Sequence, residues 1–260
     1  MSWTLWFVIA GILASCVTTP ITGRKAFIVT SVSEEAELGA QAYQEILARE
    51  PAASDSRWNA VIQRVGERIA GAAKEPSYQW EFRLIESKQV NAFCLPGGKV
   101  AVYTGILPMA GNEAALATIM GHEVAHATAR HAGQRITQQF GTQLAMAGLT
   151  AVLGGSEGTK NQMILLAAMG IAQVGFQLPF SRSEESEADE IGLVYMATAG
   201  YDPREAPKLW SRMAAQESGG PAFLSTHPPS AERERALEQQ VPRAMEIYEG
   251  SVKIGVGETW

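Results

Sequence analysis

Three of the four histidines in this chain lie close together in the run ATIMGHEVAHATARH, residues 117–131. His122 and His126 are four apart, so on a helix they sit within about 40° of each other around the axis and about 6 Å apart along it. Two imidazoles so placed can face one ion. Glu123 is rotated one step away, poorly placed as a co-ligand but able to reach a water on that ion, the general-base position of H-E-x-x-H sites. The chemistry this pattern spells is zinc-assisted hydrolysis.

A catalytic zinc site takes a third protein ligand and leaves a fourth position to water. His131 is five residues past His126 and points to another side of a continuous helix, so it reads as a helix-surface or hydrogen-bonding residue. The metzincin continuation would need Gly at 129 and His at 132, and the chain has Ala129 and Ala132. The segment FSRSEESEADEIG, 180–192, supplies a better candidate. On a helix Glu185 and Asp189 share a face, with Ala188 permitting close approach. Glu185 as ligand and Asp189 as acceptor for a ligand imidazole N–H would satisfy both layers of a metal site. Glu187 points nearly opposite and Glu184 lies a step off; both read as a solvated acidic face.

The elements that must position these groups follow from periodicity. SEEAELGAQAYQEILARE opens on a serine cap at Ser33 and has helical spacing. Trp58, Val61, Ile62, Val65 and Ile69 form one stripe and predict an amphipathic helix. Tyr78, Trp80, Phe82 and Leu84 alternate with polar residues, the mark of a half-buried strand. VNAFCL, PGG and KVAVYTGIL then read as strand, turn and strand. Asn112 is a plausible cap for the helix that carries His122. Asp202, Pro203 and Glu205 read as a capping box with proline at the first helical position. Two apolar stretches within 144–178 read as a buried helical hairpin, each too short for a membrane span. This order of elements predicts an α+β domain, mainly helical with a small β-sheet. The strand segment Asn91, Ala92, Phe93, Cys94 and Leu95 is the expected substrate-binding edge, where an extended polypeptide can pair through its main chain.

The balance is that of a globular protein: 46% hydrophobic, 18% charged, net charge −6. No basic run stands out, which argues against a nucleic-acid partner. Residues 5–14 are apolar and end in LASC, Leu13 to Cys16, which resembles a bacterial lipobox. The expected organisation is a lipoprotein signal peptide at 1–15, lipid on Cys16, a tether at 16–33, a catalytic domain at 34–250 and a C-terminal tail at 251–260. With Cys16 lipidated, Cys94 has no disulfide partner and reads as a small packed residue.

HExxH followed by ESEAD at 185–189 resembles the M48 zinc metallopeptidases. NAFCLPGG resembles the family's NAFALPGG strand, and STHPPSAERERAL its THPP…R element. With the lipobox, the chain is similar to the family's bacterial envelope lipoprotein branch. The resemblance implies a zincin-like (gluzincin) fold and one Zn2+ per chain on His122, His126 and Glu185. It implies further roles for His227, capping the zinc at rest or steadying the oxyanion, and for Arg233, supporting the site. It also implies a quality-control endopeptidase in the cell envelope, anchored at Cys16, facing the periplasm, with the outer membrane as destination. Its partners would be unfolded or misassembled polypeptides. The rivals are a zinc-retaining chaperone-like module without turnover and a purely structural zinc site.

Overall fold

The computed structural model describes residues 16–152, 180–215, 222–228 and 231–260. The chain enters as an antiparallel pair, β1 (Cys16–Thr18) and β2 (Lys25–Phe27), with Cys16 opposite Phe27. The expected tether is therefore a folded hairpin, and Thr19 beside it is buried. Its docking contacts are polar and long-range, which is why apolar periodicity gave no sign of it. Helix α1 (Val32–Leu47) starts two residues earlier than Ser33 would place it. Ser31 accepts from the backbone N–H of Glu34, whose carboxylate accepts in return from the N–H of Ser31. Helix α2 (Ser56–Ala73) follows the predicted stripe and buries Val61, Ile62, Val65 and Ile69.

The sheet is small and mixed. β3 (Glu81–Ile85) runs parallel to β5 (Lys99–Tyr103), and β4 (Ala92–Leu95) pairs antiparallel with β5 on its other side. The β4–β5 turn needs left-handed backbone at Gly97 and Gly98, φ 83° and 85°. Tyr78 and Trp80 precede β3 rather than belonging to it. β4 is thus an edge strand. The Tyr103 N–H donates to the Asn91 carbonyl, and antiparallel alternation then turns the main-chain groups of Ala92 and Cys94 outward, away from β5.

Helix α3 (Glu113–Thr128) is the core of the molecule. Asn112 caps it as expected, accepting from the Ala115 N–H at 2.8 Å. Every residue from Glu113 to Ala127 is buried, because five alanines and Gly121 let neighbours approach from all sides. Helix α4 (His131–Val152) follows after a sharp turn, and α5 (Arg182–Thr198) crosses α3 at very short range. A Cβ added to Gly192 would lie 2.8 Å from the backbone nitrogen of His122, and one on Gly121 would lie 3.0 Å from the Gly192 carbonyl oxygen. Only glycine allows that crossing.

Two helices, α6 (Glu205–Ala214) and α7 (Ala231–Glu249), pack around this pair. The expected capping box at 202–205 does not form. Asp202 instead accepts from the Arg204 backbone and guanidinium, and the Asp202 carbonyl accepts from the Glu205 N–H. Residues 251–260 fold back over the start of α3. Trp260 donates from its indole to the Leu107 carbonyl at 2.7 Å and meets Trp58 edge-on. Of the apolar region 144–178, residues 144–152 are helical and the rest lies outside the described residues, as does the signal segment 1–15. Among the described residues, no helix is long and apolar enough to cross a membrane.

Candidate metal centre and active site

Two turns of α3 present His122 and His126 toward α5, and the glycine crossing brings Glu185 opposite them. His122 Nε2 lies 3.1 Å from His126 Nε2, 3.2 Å from His227 Nδ1 and 3.5 Å from Glu185 Oε2. Glu185 Oε1 lies 3.3 Å from His126 Nε2 and 2.9 Å from His227 Nδ1. All four residues are buried and their donor atoms lie within 4.8 Å of one another. Donors held about 2.0–2.1 Å from one tetrahedral ion are spaced about 3.3 Å apart. The spacing and the nitrogen–oxygen character of the set therefore fit a zinc-like ion. His227 contributes the fourth donor of the set, where a catalytic zinc site would leave room for water.

Aromatic rings wall the imidazoles in place. Phe180 lies 3.7 Å from the His126 ring centre, Phe223 stacks at 4.5 Å on His227, and Trp210 meets His122 edge-on at 5.4 Å. Nothing in the local sequence around these three rings announces that placement, because each comes from a different element.

Asp189 sits 3.0 Å from His122 Nδ1, so it accepts that N–H and leaves Nε2 for an ion. Arg233 grips Asp189 with two donors, at 2.7 and 2.9 Å, and reaches Glu185 Oε2 at 2.6 Å. Its guanidinium also covers the face of Trp210. These contacts make Arg233 a clamp on the two carboxylates.

The charges follow from burial and neighbours. Burial depresses His122, but hydrogen bonds to Asp189 and Glu185 outweigh it and lift the group to about 9. Burial dominates for His126, aided by the neighbouring imidazoles, and pulls it well below the usual range. Burial would raise Glu185, but hydrogen bonds from His122, His126 and His227 hold it far below an ordinary carboxylate. Glu123 moves the other way: burial raises it, only partly offset by His227 and His122. It lies 3.3 Å from His227 Nε2 and accepts from the Cys94 backbone N–H.

That contact joins the edge strand to the site. A cleft of about 680 Å³ is lined by Asn91 to Pro96 along one wall and by Glu123, His126 and His227 at its floor. Asn91, Ala92, Phe93, Cys94 and Leu95, expected to meet substrate, all line it. Phe180 and Arg135 close the far side, the guanidinium 3.8 Å above the ring.

Three residues depart from their sequence reading. Glu187 is buried rather than solvated: it accepts from Thr19, Thr22 and Arg24 and faces His131 at 3.1 Å. Glu184 is buried too, accepting from the Ser181 backbone at 2.8 Å as the partner in the cap of α5. His131 does not point away. Helix α3 ends at Thr128, Arg130 adopts φ 56°, and the chain turns so that His131 Nδ1 comes 2.8 Å from His126 Nδ1. Arg130 is held there by ion-pairing with Glu35.

Residues 56–241 match Peptidase family M48. The chain is 36% identical over 233 residues to the mitochondrial metalloendopeptidase OMA1 of Schizosaccharomyces pombe, covering 86% of this chain and 66% of that protein. It is 34% identical over 260 residues to the mitochondrial metalloendopeptidase OMA1 of Saccharomyces cerevisiae, covering 89% and 71%. It is 31% identical over 222 residues to the putative beta-barrel assembly-enhancing protease of Vibrio cholerae, covering 80% of this chain and 44% of that one.

Proposed function

The chain belongs to peptidase family M48, and we propose that its zincin-like metalloendopeptidase domain uses zinc to cut peptide bonds within unfolded or misassembled envelope proteins. The observation that carries this reading is the donor set of His122, His126 and Glu185, gathered around one point with Glu123 beside it. When bound there, zinc would supply Lewis acidity, lowering the pKa of a bound water to about 7 and polarising the scissile carbonyl.

The chain's own residues do the rest. The Ala92 and Cys94 N–H groups are taken by the Asn91 side chain and by Glu123, so their outward carbonyls hold the substrate extended along β4, with its scissile bond over Glu123. Glu123, raised by burial, takes the proton of the attacking water as the oxygen adds to the carbonyl carbon. It then delivers that proton to the nitrogen as the C–N bond breaks. His227, which lies among the donor atoms, would swing off them when substrate arrives and steady the developing oxyanion, a contribution of about 2.7–4 kcal/mol where such donors have been removed elsewhere. Arg233 and Asp189 keep Glu185 and His122 in place.

Unfolded chains as substrate are supported by the edge position of β4, whose outward carbonyls can engage main chain. The envelope is supported by the lipobox-like Leu13 to Cys16 and by the beta-barrel assembly-enhancing protease among the relatives. Glu123→Gln tests the chemistry: it should abolish cleavage of a casein-like unfolded substrate while zinc stays near one per chain. Retained cleavage in that variant would overturn the assignment. A variant that still protects cells from envelope stress would favour a zinc-holding chaperone instead.

A further inference from the structure

His131 and Glu187 have no part in the steps above, yet both are buried against the site, His131 completely. Glu187 Oε1 accepts from Thr19 and Thr22 at 2.7 and 2.5 Å, and Oε2 accepts from Arg24 Nε at 2.7 Å. Paired with a guanidinium, this carboxylate can only accept, so His131 Nε2, at 3.1 Å, must carry the proton it donates. A neutral imidazole protonated on Nε2 has only a lone pair on Nδ1. That lone pair faces His126 Nδ1 at 2.8 Å, so His126 is the donor in this contact. With its proton on Nδ1, His126 turns a bare Nε2 to the donor cluster. The opposite tautomer would aim an N–H at the ion.

We propose that Glu187 and His131 form a positioning relay that fixes the tautomer of His126, and that the N-terminal hairpin, through Thr19, Thr22 and Arg24, holds the relay in place. This rests on His126 being a metal ligand, as proposed above. The hairpin is then a structural part of the metal centre, although Arg24 lies 98 residues before His122, the nearest ligand in sequence. Arg24 adds a second hold, donating to Gln134 in the first turns of α4 at 2.9 Å.

The test pits hydrogen bonding against packing. His131→Phe keeps the ring volume and removes the acceptor; His131→Asn loses volume but can place an amide oxygen near the former Nδ1. Zinc affinity is read by competition with a chromophoric chelator, and thermal unfolding of the chelator-treated proteins reports whether each variant folds. The relay requires a loss of about 10–100-fold for His131→Phe and recovery of most of it in His131→Asn. The reverse order would show a packing role and overturn the proposal. Arg24→Ala, at a half-exposed side chain, should lose affinity by a smaller factor than His131→Phe; wild-type affinity there would overturn the hairpin's part. Glu185→Ala serves as the reference for a lost ligand. A wild-type chain that binds no zinc would sink the functional reading itself, whereas wild-type binding with no effect in any His131 variant would sink the relay alone.

Discussion

Glu123 and Glu185 lie within reach of the same His227, and their carboxyls are driven in opposite directions. Three imidazoles and Arg233 hold Glu185 ionised, as a ligand must be. Glu123 has burial against it and fewer compensating partners, so its proton affinity rises toward the range of a useful base. Glu187 is a third case. Burial would raise it, but hydrogen bonds from His131, Arg24, Thr22 and Thr19 hold it well below the ordinary value of 4.5. A carboxyl lowered on folding contributes stability that is present in full above its unfolded value and is lost as pH falls through the folded one. Urea unfolding between pH 3 and 7 should therefore show a shallower acid-side decline for Glu187→Gln than for the wild-type chain. Identical slopes would show that Glu187 is not held ionised by its neighbours. At this scale the ligand pattern was legible, because HExxH spacing encodes a shared helix face. The relay was not: whether His131 faces its neighbour depends on the left-handed turn at Arg130, which a continuous-helix reading cannot foresee.

The helices place these residues by how closely they cross. Ala188 was legible as a small contact residue, and it is fully buried. The tighter contact is made one turn later by Gly192 against the backbone at Gly121 and His122. A glycine inside a helical pattern ordinarily reads as a cost of about 1 kcal/mol; its value here appears only when a second glycine 71 positions away is its partner. Gly192→Ala should force α3 and α5 apart, costing about 1–3 kcal/mol in stability and spreading Glu185 from the imidazole pair. Urea unfolding and zinc titration of the variant check this, and unchanged values in both would mean the crossing does not set the site. The amphipathic helix at 56–73 and the β4–β5 hairpin were legible from local pattern alone. The start of α1 at Ser31 and the failed cap at Asp202 were not, since each turns on which nearby polar group wins a backbone N–H.

Across the whole molecule, both ends of the described chain are bound into the core rather than hanging from it. The C-terminal residues brace the start of α3 through Trp260, and the hairpin at 16–27 grips α5 through Glu187. Cys16 is exposed at the head of that hairpin. Were Cys16 lipidated, Cys16→Ala would move the protein from the membrane fraction to the soluble one, read by fractionation and immunoblotting; an unchanged distribution would rule out an anchor at Cys16. From Cys16 to Thr19, the first residue to touch Glu187, is a reach of about 10 Å even when fully stretched. An acylated chain would thus be a blade on a very short leash. Its mouth would patrol only a thin shell above the lipid headgroups, and polypeptides stalled at that surface would meet it before any that drift freely beyond.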